Sequence, residues 1–149
     1  MRQKNIFKLI RAVEQMNNDN IMEFTKAFRH QLGISPILVL AELKSKGPQK
    51  QAELAETVGY TKGAMTNISD KLVKLEMAER LYDENDRRTI QLKITDAGRE
   101  ALEEASAIGE DVFTKLFETL TEEEIQQYLL IQEKIVQGIE NRKNQKEDL

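Results

Sequence analysis

The chain has 149 residues, 40% of them hydrophobic, enough for one folded core with or without an extension; with no cysteine it excludes disulfides, thiolate metal sites and thiol-based redox sensing. The net charge of -4 argues against a polyanionic partner only until it is resolved along the chain. Residues 1–48 carry 8 basic and 4 acidic side chains, residues 49–95 carry 8 of each, and residues 96–149 carry 6 and 14, so the acidity is C-terminal and a nucleic-acid surface upstream stays open. No apolar run reaches the length of a signal-peptide core or a membrane span, so an intracellular, cytoplasmic protein with no membrane partner is expected.

Residues 5–31 place Ile6, Ile10, Val13, Ile21, Phe24 and Phe28 largely three and four apart, which predicts a long amphipathic helix. The run Asn17 to Asn20 predicts a kink or break within it, because Asn and Asp compete for backbone bonds. Met16, Met22, Phe24 and Phe28 are read as core. Gly33 ends this segment; Ser35 then offers an N-cap and Pro36 a first helical residue for a second helix, 36–46, with Leu40 and Leu43 on its apolar face and Gly47-Pro48 as its stop.

A short helix follows over 50–58, with Leu54, Ala55 and Val58 inward and Gly59 as a left-handed turn residue. Thr61 can cap the next helix, 62–75, whose buried stripe is Met65, Ile68, Leu72 and Leu75. Its opposite face presents Lys62, Gly63, Thr66, Asn67, Asp70, Lys71 and Lys74. Short helix, glycine turn and longer helix form a helix-turn-helix: small residues let the helix start approach a major-groove floor while lysines meet phosphates.

Next comes a predicted β-hairpin. Arg80 to Asp83 is one strand, and Ile90, Leu92 and Ile94 alternate with polar residues in the other. Between them, Glu84 to Arg88 contains no apolar residue, so a tip bearing Arg87 and Arg88 projects into water. Thr95 can cap a helix over 96–120 with Leu102, Ala105, Val112, Leu116 and Leu120 as its stripe. Thr121 to Glu124 is a capping box that opens a last helix carrying Ile125, Tyr128, Ile131, Ile135 and Ile139, before a charged, fraying tail over 140–149. These helices have more apolar surface than a small core covers, and with the first helix they suggest a homodimer interface built from both ends of the chain.

Across essentially its full length the chain resembles the MarR family of winged helix-turn-helix transcriptional regulators. The matching residues are Gln51-Ala52-Glu53-Leu54-Ala55, Asp70-Lys71-Leu72, Arg80, and Asp86-Arg87-Arg88 through Leu92, Ile94-Thr95 and Gly98. The resemblance implies a mainly α fold with a small β-hairpin wing: a winged helix-turn-helix lobe over 34–95, and dimerisation helices over 5–31 and 96–142. It implies a homodimeric repressor on a pseudo-palindromic operator in double-stranded DNA, without a cofactor. A small-molecule effector of unknown identity is expected between the dimer helices and the DNA-binding lobe.

On this resemblance the DNA-binding residues are Thr61, Lys62, Gly63, Thr66, Asn67, Lys71, Lys74, Arg87 and Arg88. Arg88 is the minor-groove arginine, and Asp86 holds its guanidinium rigid. The sequence departs from the family pattern three times. Glu76 stands where glycine usually ends the recognition helix, which predicts a different ending because a Cβ disfavours a left-handed turn. Lys50 replaces the expected Ser or Thr N-cap, which predicts fraying. Asn67 lies where arginine is common, which predicts an altered operator, since asparagine pairs with adenine and arginine with guanine.

Two other function classes compete. An enzyme would need a nucleophile with its base, paired acids, a metal cluster or a phosphate loop, and none stands at credible spacing. The single histidine, His30, reads as a partly exposed helix-end residue and not as a metal ligand. A winged-helix protein-interaction module without DNA binding is the alternative kept open by the neutral charge of residues 49–95.

Overall fold

The computed structural model describes residues 2–148 apart from Gln31 and Arg87, with side chains from Asn5 onward. It divides into two compact units, Met1–Val112 and Phe113–Leu149. The first contains α1 (Arg2–Ala27), α2 (Ile34–Lys46), β1 (Gln49–Lys50), α3 (Gln51–Val58), α4 (Lys62–Lys74), β2 (Ala78–Tyr82), β3 (Ile90–Ile94) and most of α5 (Asp96–Leu116).

Its core is centred on α2, α3 and α4, where Val39, Leu40, Leu43, Leu54, Met65 and Leu72 are almost wholly removed from water. Leu92 and Ile94 close it from the sheet, Ala101, Leu102 and Ala105 from α5, Phe24 from the last turn of α1, and Phe28 and Leu32 from the chain leaving it. Each buried aliphatic or aromatic side chain contributes about 1.5–3 kcal/mol of transfer free energy. α1 contributes little of this: Ile6, Phe7, Leu9, Ile10, Val13 and Ile21 are exposed, and so is Met22, which was expected in the core.

α1 runs unbroken through Asn17 to Asn20. Asn17, Asn18 and Asp19 lie exposed, so their side chains are solvated without drawing the backbone from its ladder. The helix ends at Ala27, short of the expected 31, and the chain then turns so that Leu32 is buried with Phe28. His30 therefore lies beyond the helix, half-exposed as expected, with Nε2 2.9 Å from Oε2 of Glu104 on α5.

α2 begins two residues earlier than predicted, with Gly33 at its N-cap. Ser35 is inside the first turn, where its hydroxyl accepts a hydrogen bond from Tyr60 (2.8 Å) instead of capping. Pro36 is tolerated there because first-turn N–H groups need no intrahelical partner.

The predicted hairpin is part of a three-stranded antiparallel sheet in the order β1-β3-β2. β2 and β3 pair from Ala78↔Ile94 to Tyr82↔Ile90, and β1 adds Gln49↔Leu92 and Lys50↔Gln91. β1 also resolves the missing cap at Lys50. No side chain caps α3, but the residues before it are fixed in the sheet, so the helix start is held by strand pairing. Ile90 was expected on the core face with Leu92 and Ile94, yet it is exposed, because with its partner Tyr82 it lies at the outer end of the hairpin.

α4 ends in a left-handed residue although that residue is Glu76, at φ 60°. The Met77 N–H donates to the Leu72 carbonyl (2.9 Å) and the Glu76 N–H to that of Val73 (3.0 Å), a Schellman motif with Leu72 and Met77 both buried. Departure from glycine thus leaves the helix ending unchanged, and the apolar pair holds Glu76 where its Cβ is disfavoured. Glu76→Gly should stabilise the protein by about 0.5–1 kcal/mol, the relief of left-handed strain less the unfolded-state entropy of glycine. Urea unfolding at one protein concentration measures this, and a lower midpoint at equal slope would contradict it.

The second unit holds the end of α5 and α6 (Glu122–Glu147). α5 stops at Leu116, four residues short of prediction, and a turn through Phe117 leads to Thr121. The capping box is present: Thr121 Oγ1 accepts from the Glu124 N–H (3.2 Å), and Glu124 Oε1 accepts from the Thr121 N–H (3.0 Å). The Phe117 ring lies 6.1 Å from that of Phe113 and 5.6 Å from that of Tyr128. Contrary to the fraying expected from residue 140, α6 continues to Glu147, and none of its residues is buried. Ile125, Leu129, Ile131, Ile135, Val136 and Ile139 are all exposed along it.

Candidate nucleic-acid interface

α4 separates its faces cleanly. Met65, Ser69 and Leu72 are buried, whereas Lys62, Gly63, Thr66, Asn67, Asp70, Lys71 and Lys74 are exposed, as is Thr61 before them. Leu75 is exposed and not part of the stripe. Thr61 caps the helix, its Oγ1 accepting from the Ala64 N–H (3.1 Å). Thr61, Lys62 and the small residue Gly63 are exposed together at the helix start, an arrangement suited to approach by a phosphate or base edge.

Two polar connections hold this face in register with its neighbours. The Thr66 hydroxyl donates to the Lys62 carbonyl (2.9 Å) and accepts from Nε2 of Gln51 at the start of α3 (2.9 Å). Asp70, an acid in the middle of a basic face, is hydrogen-bonded and ion-paired by the Arg80 guanidinium from β2. That pair joins α4 to the wing and offsets the one negative charge on the exposed face of α4. Neither Arg80 nor Gln51 has a functional role by sequence reasoning, although an uncompensated acid among lysines was a signal for the first.

In the hairpin tip, Asp86 Oδ1 accepts from the Arg88 backbone N–H (3.0 Å), and its Oδ2 accepts from the Thr89 hydroxyl (3.3 Å). Asp86 thus holds the backbone of Arg88 and not its guanidinium, which corrects the expected carboxylate–guanidinium contact. Among the described residues the Arg88 side chain forms no ion pair, and it is exposed. Asp83 behaves similarly, its Oδ1 accepting from the Asn85 N–H (3.0 Å). Two of the tip's three acids are therefore occupied as local turn formers, and their charge shapes the loop as well as diluting its basicity. Arg87 lies outside the described residues.

Lys50, Gln51, Arg80, Arg88 and Thr89 line one open depression between the start of α3 and the wing. Lys50 is a cation beside Arg88 that sequence reasoning treated only as a poor cap. Tyr82, an exposed aromatic at the outer end of the wing, was likewise given no role, because its strand was read only as the partner of the alternating one. Among the described residues no group of His, Asp and Glu side chains could hold a metal ion, and no helix is long and apolar enough to cross a membrane.

Comparison with known proteins bears on this geometry. Residues 34–90 match the model of the MarR family. The HTH-type transcriptional repressor MdtR of Bacillus subtilis is 34% identical over 115 residues, 76% of this chain and 74% of that protein. The crystal structure of YusO from Bacillus subtilis superposes with a TM-score of 0.71 at 27% identity, covering 91% of this chain and 94% of that one. A mutant MarR from Escherichia coli, solved in complex with operator DNA, shares the fold with a TM-score of 0.74 at 23% identity, over 88% of this chain and 95% of that one.

Proposed function

The chain belongs to the MarR family of winged helix-turn-helix transcriptional regulators, and on that premise we propose that two copies bind a pseudo-palindromic operator and repress by occupying it. The observation that carries the reading is the exposed face of α4, joined to an arginine-bearing wing by the Asp70–Arg80 pair. Lys62, Lys71 and Lys74 meet phosphates, Thr61 and Gly63 admit the backbone, and Thr66 and Asn67 face base edges in the major groove. Arg88 enters the flanking minor groove from a loop shaped by Asp86, and Arg87 contacts DNA beside it.

The winged lobe is residues 34–95, and the helices over 5–31 and 96–142 form the dimerisation region. The exposed apolar stripes of α1 and α6 support this, because each lies uncovered by the rest of its own unit. The protein is a regulator and not an enzyme, and it acts in the cytoplasm. Without cysteine a thiol switch has no residue to act on, which leaves constitutive binding or relief by a small ligand that changes the spacing of the two α4 helices.

Gel shifts on the DNA upstream of the protein's own coding region, over a range of salt, test this reading. Binding should weaken linearly in log salt as phosphate contacts are exchanged for counterions. Absence of binding even at low salt would favour a winged-helix interaction module, the reading suggested by the equal numbers of acids and bases in residues 49–95. In the same assay format, Asn67→Arg should move the preferred base from adenine toward guanine at one position per half-site. An unchanged preferred site after selection would show that Asn67 reads no base.

A further inference from the structure

We propose that Thr66 reads the 5-methyl group of a thymine through its own methyl, and that Gln51 is the residue that positions it. The proposal rests on the DNA-binding reading above and adds the base class and the atom.

A threonine hydroxyl has one hydrogen to donate and two lone pairs. In Thr66 the hydrogen is directed to the Lys62 carbonyl, and one lone pair receives the Gln51 amide. The hydroxyl therefore has no proton to offer to a phosphate, to the guanine O6 or N7, or to the thymine O4. Thr66 is nonetheless exposed, on the same face as Asn67 and Lys62. What remains for a base is one lone pair, an acceptor for an amino group, and the methyl, and the one apolar feature on the major-groove edge that a methyl can meet is the thymine methyl.

Gln51 decides the orientation. The bond to the i−4 carbonyl is available to any helical threonine, but the second bond comes from another helix and opposes rotation about χ1. Gln51 itself is half-buried at the first position of α3, directly after the strand pairing of Lys50 with Gln91, so its own backbone is held. The sheet thus holds Gln51, Gln51 holds the Thr66 rotamer, and the methyl is the group left to meet an apolar base feature.

The test uses the duplex recovered by the wild-type protein from a random-sequence pool, with each thymine in turn replaced by deoxyuridine. One position per half-site should lose about fourfold in affinity, the worth of one buried methyl-sized group, with the others unchanged. Thr66→Val, which keeps methyls and removes the hydroxyl, should retain that thymine preference, and Thr66→Ser should abolish it. Gln51→Ala should shrink it while leaving the salt dependence unaltered. Equal affinity for thymine and uracil at every position would overturn the proposal while the unmodified duplex still bound, leaving the DNA-binding reading intact. Retention of the preference by Thr66→Ser with loss in Thr66→Val would also overturn it, by assigning the contact to the hydroxyl. A pool that yields no bound sequence would overturn both readings.

Discussion

Arg88→Ala should lower operator affinity on the order of 100-fold while leaving the dimer and its unfolding midpoint unchanged. The reason is the distribution of charge. Residues 49–95 carry as many acids as bases, so diffuse attraction to DNA is weak and affinity must come from positioned groups. On the proposed reading Arg88 is one such group. Its backbone N–H is held by Asp86, its side chain is exposed without an ion pair among the described residues, and the proposed dimer would present it twice. A guanidinium delivered on an ordered loop loses little freedom on entering a narrow groove, where the negative potential is greatest. Fluorescence anisotropy gives the affinity and light scattering the mass. Unchanged affinity, or a dissociated dimer, would refute the role given to Arg88. Asp86→Asn keeps an acceptor for the Arg88 N–H, so it should cost much less than Asp86→Ala.

Gly98→Ala should destabilise the fold by about 3 kcal/mol or more, at the upper end of what overpacking costs. A Cβ there would lie 2.1 Å from the Met77 carbonyl oxygen, 3.0 Å from its carbon and 2.9 Å from Cγ1 of Ile94. The obstacle is backbone, which cannot swing aside as the end of a long side chain can. The Met77 carbonyl is also fixed by the Thr95 N–H (3.1 Å), and the Glu76 carbonyl by the Thr95 hydroxyl (2.6 Å), so relief would break the junction of α4, β2 and α5. At about 2–4 °C per kcal/mol for a chain of this size, a fall of roughly 10 °C in Tm is expected. Gly109→Ala is the control: an added Cβ meets nothing within 4 Å, and the gain in helix propensity is about 1 kcal/mol or less. A Tm for Gly98→Ala within a degree or two of wild type would contradict the steric account.

How far the sequence carried the structure follows from which forces act locally. Periodicity located α2, α3, α4 and the wing because their apolar faces are buried in one core, and a buried face has to repeat with its element. Thr61, Thr95 and Thr121 were legible as caps because a cap is a side chain bonding its own helix start. Ser35 failed as a cap because the helix starts at Ile34, which puts Ser35 in the first turn, where Tyr60, 25 residues away, donates to its hydroxyl. β1 was invisible for a similar reason: two residues cannot show alternation, and its partner Leu92 lies 43 positions on. Glu76 shows tertiary context overriding propensity, with the buried pair Leu72 and Met77 imposing a turn that the residue alone would resist.

The candidate site divides along the same line. The exposed residues of α4 could be named from helical spacing, and Arg88 from the resemblance. The connections that orient them, Gln51 to Thr66 and Arg80 to Asp70, join residues 15 and 10 apart on different elements and leave no periodic trace. Asp86 was assigned to the correct residue's support through the wrong atoms. A carboxylate two residues before an arginine reaches its backbone N–H more readily than its guanidinium, which is the ordinary behaviour of Asp in a tight turn.

Selection of bound duplexes from a random-sequence pool at low salt tests the central claim most directly, because it asks for dimer symmetry and base readout at once. Two inverted half-sites centred about one helical turn apart, flanked by A·T-rich steps with a narrow minor groove, are the predicted outcome. A pool that gains no shared sequence, from protein shown by light scattering to be folded and dimeric, would contradict it.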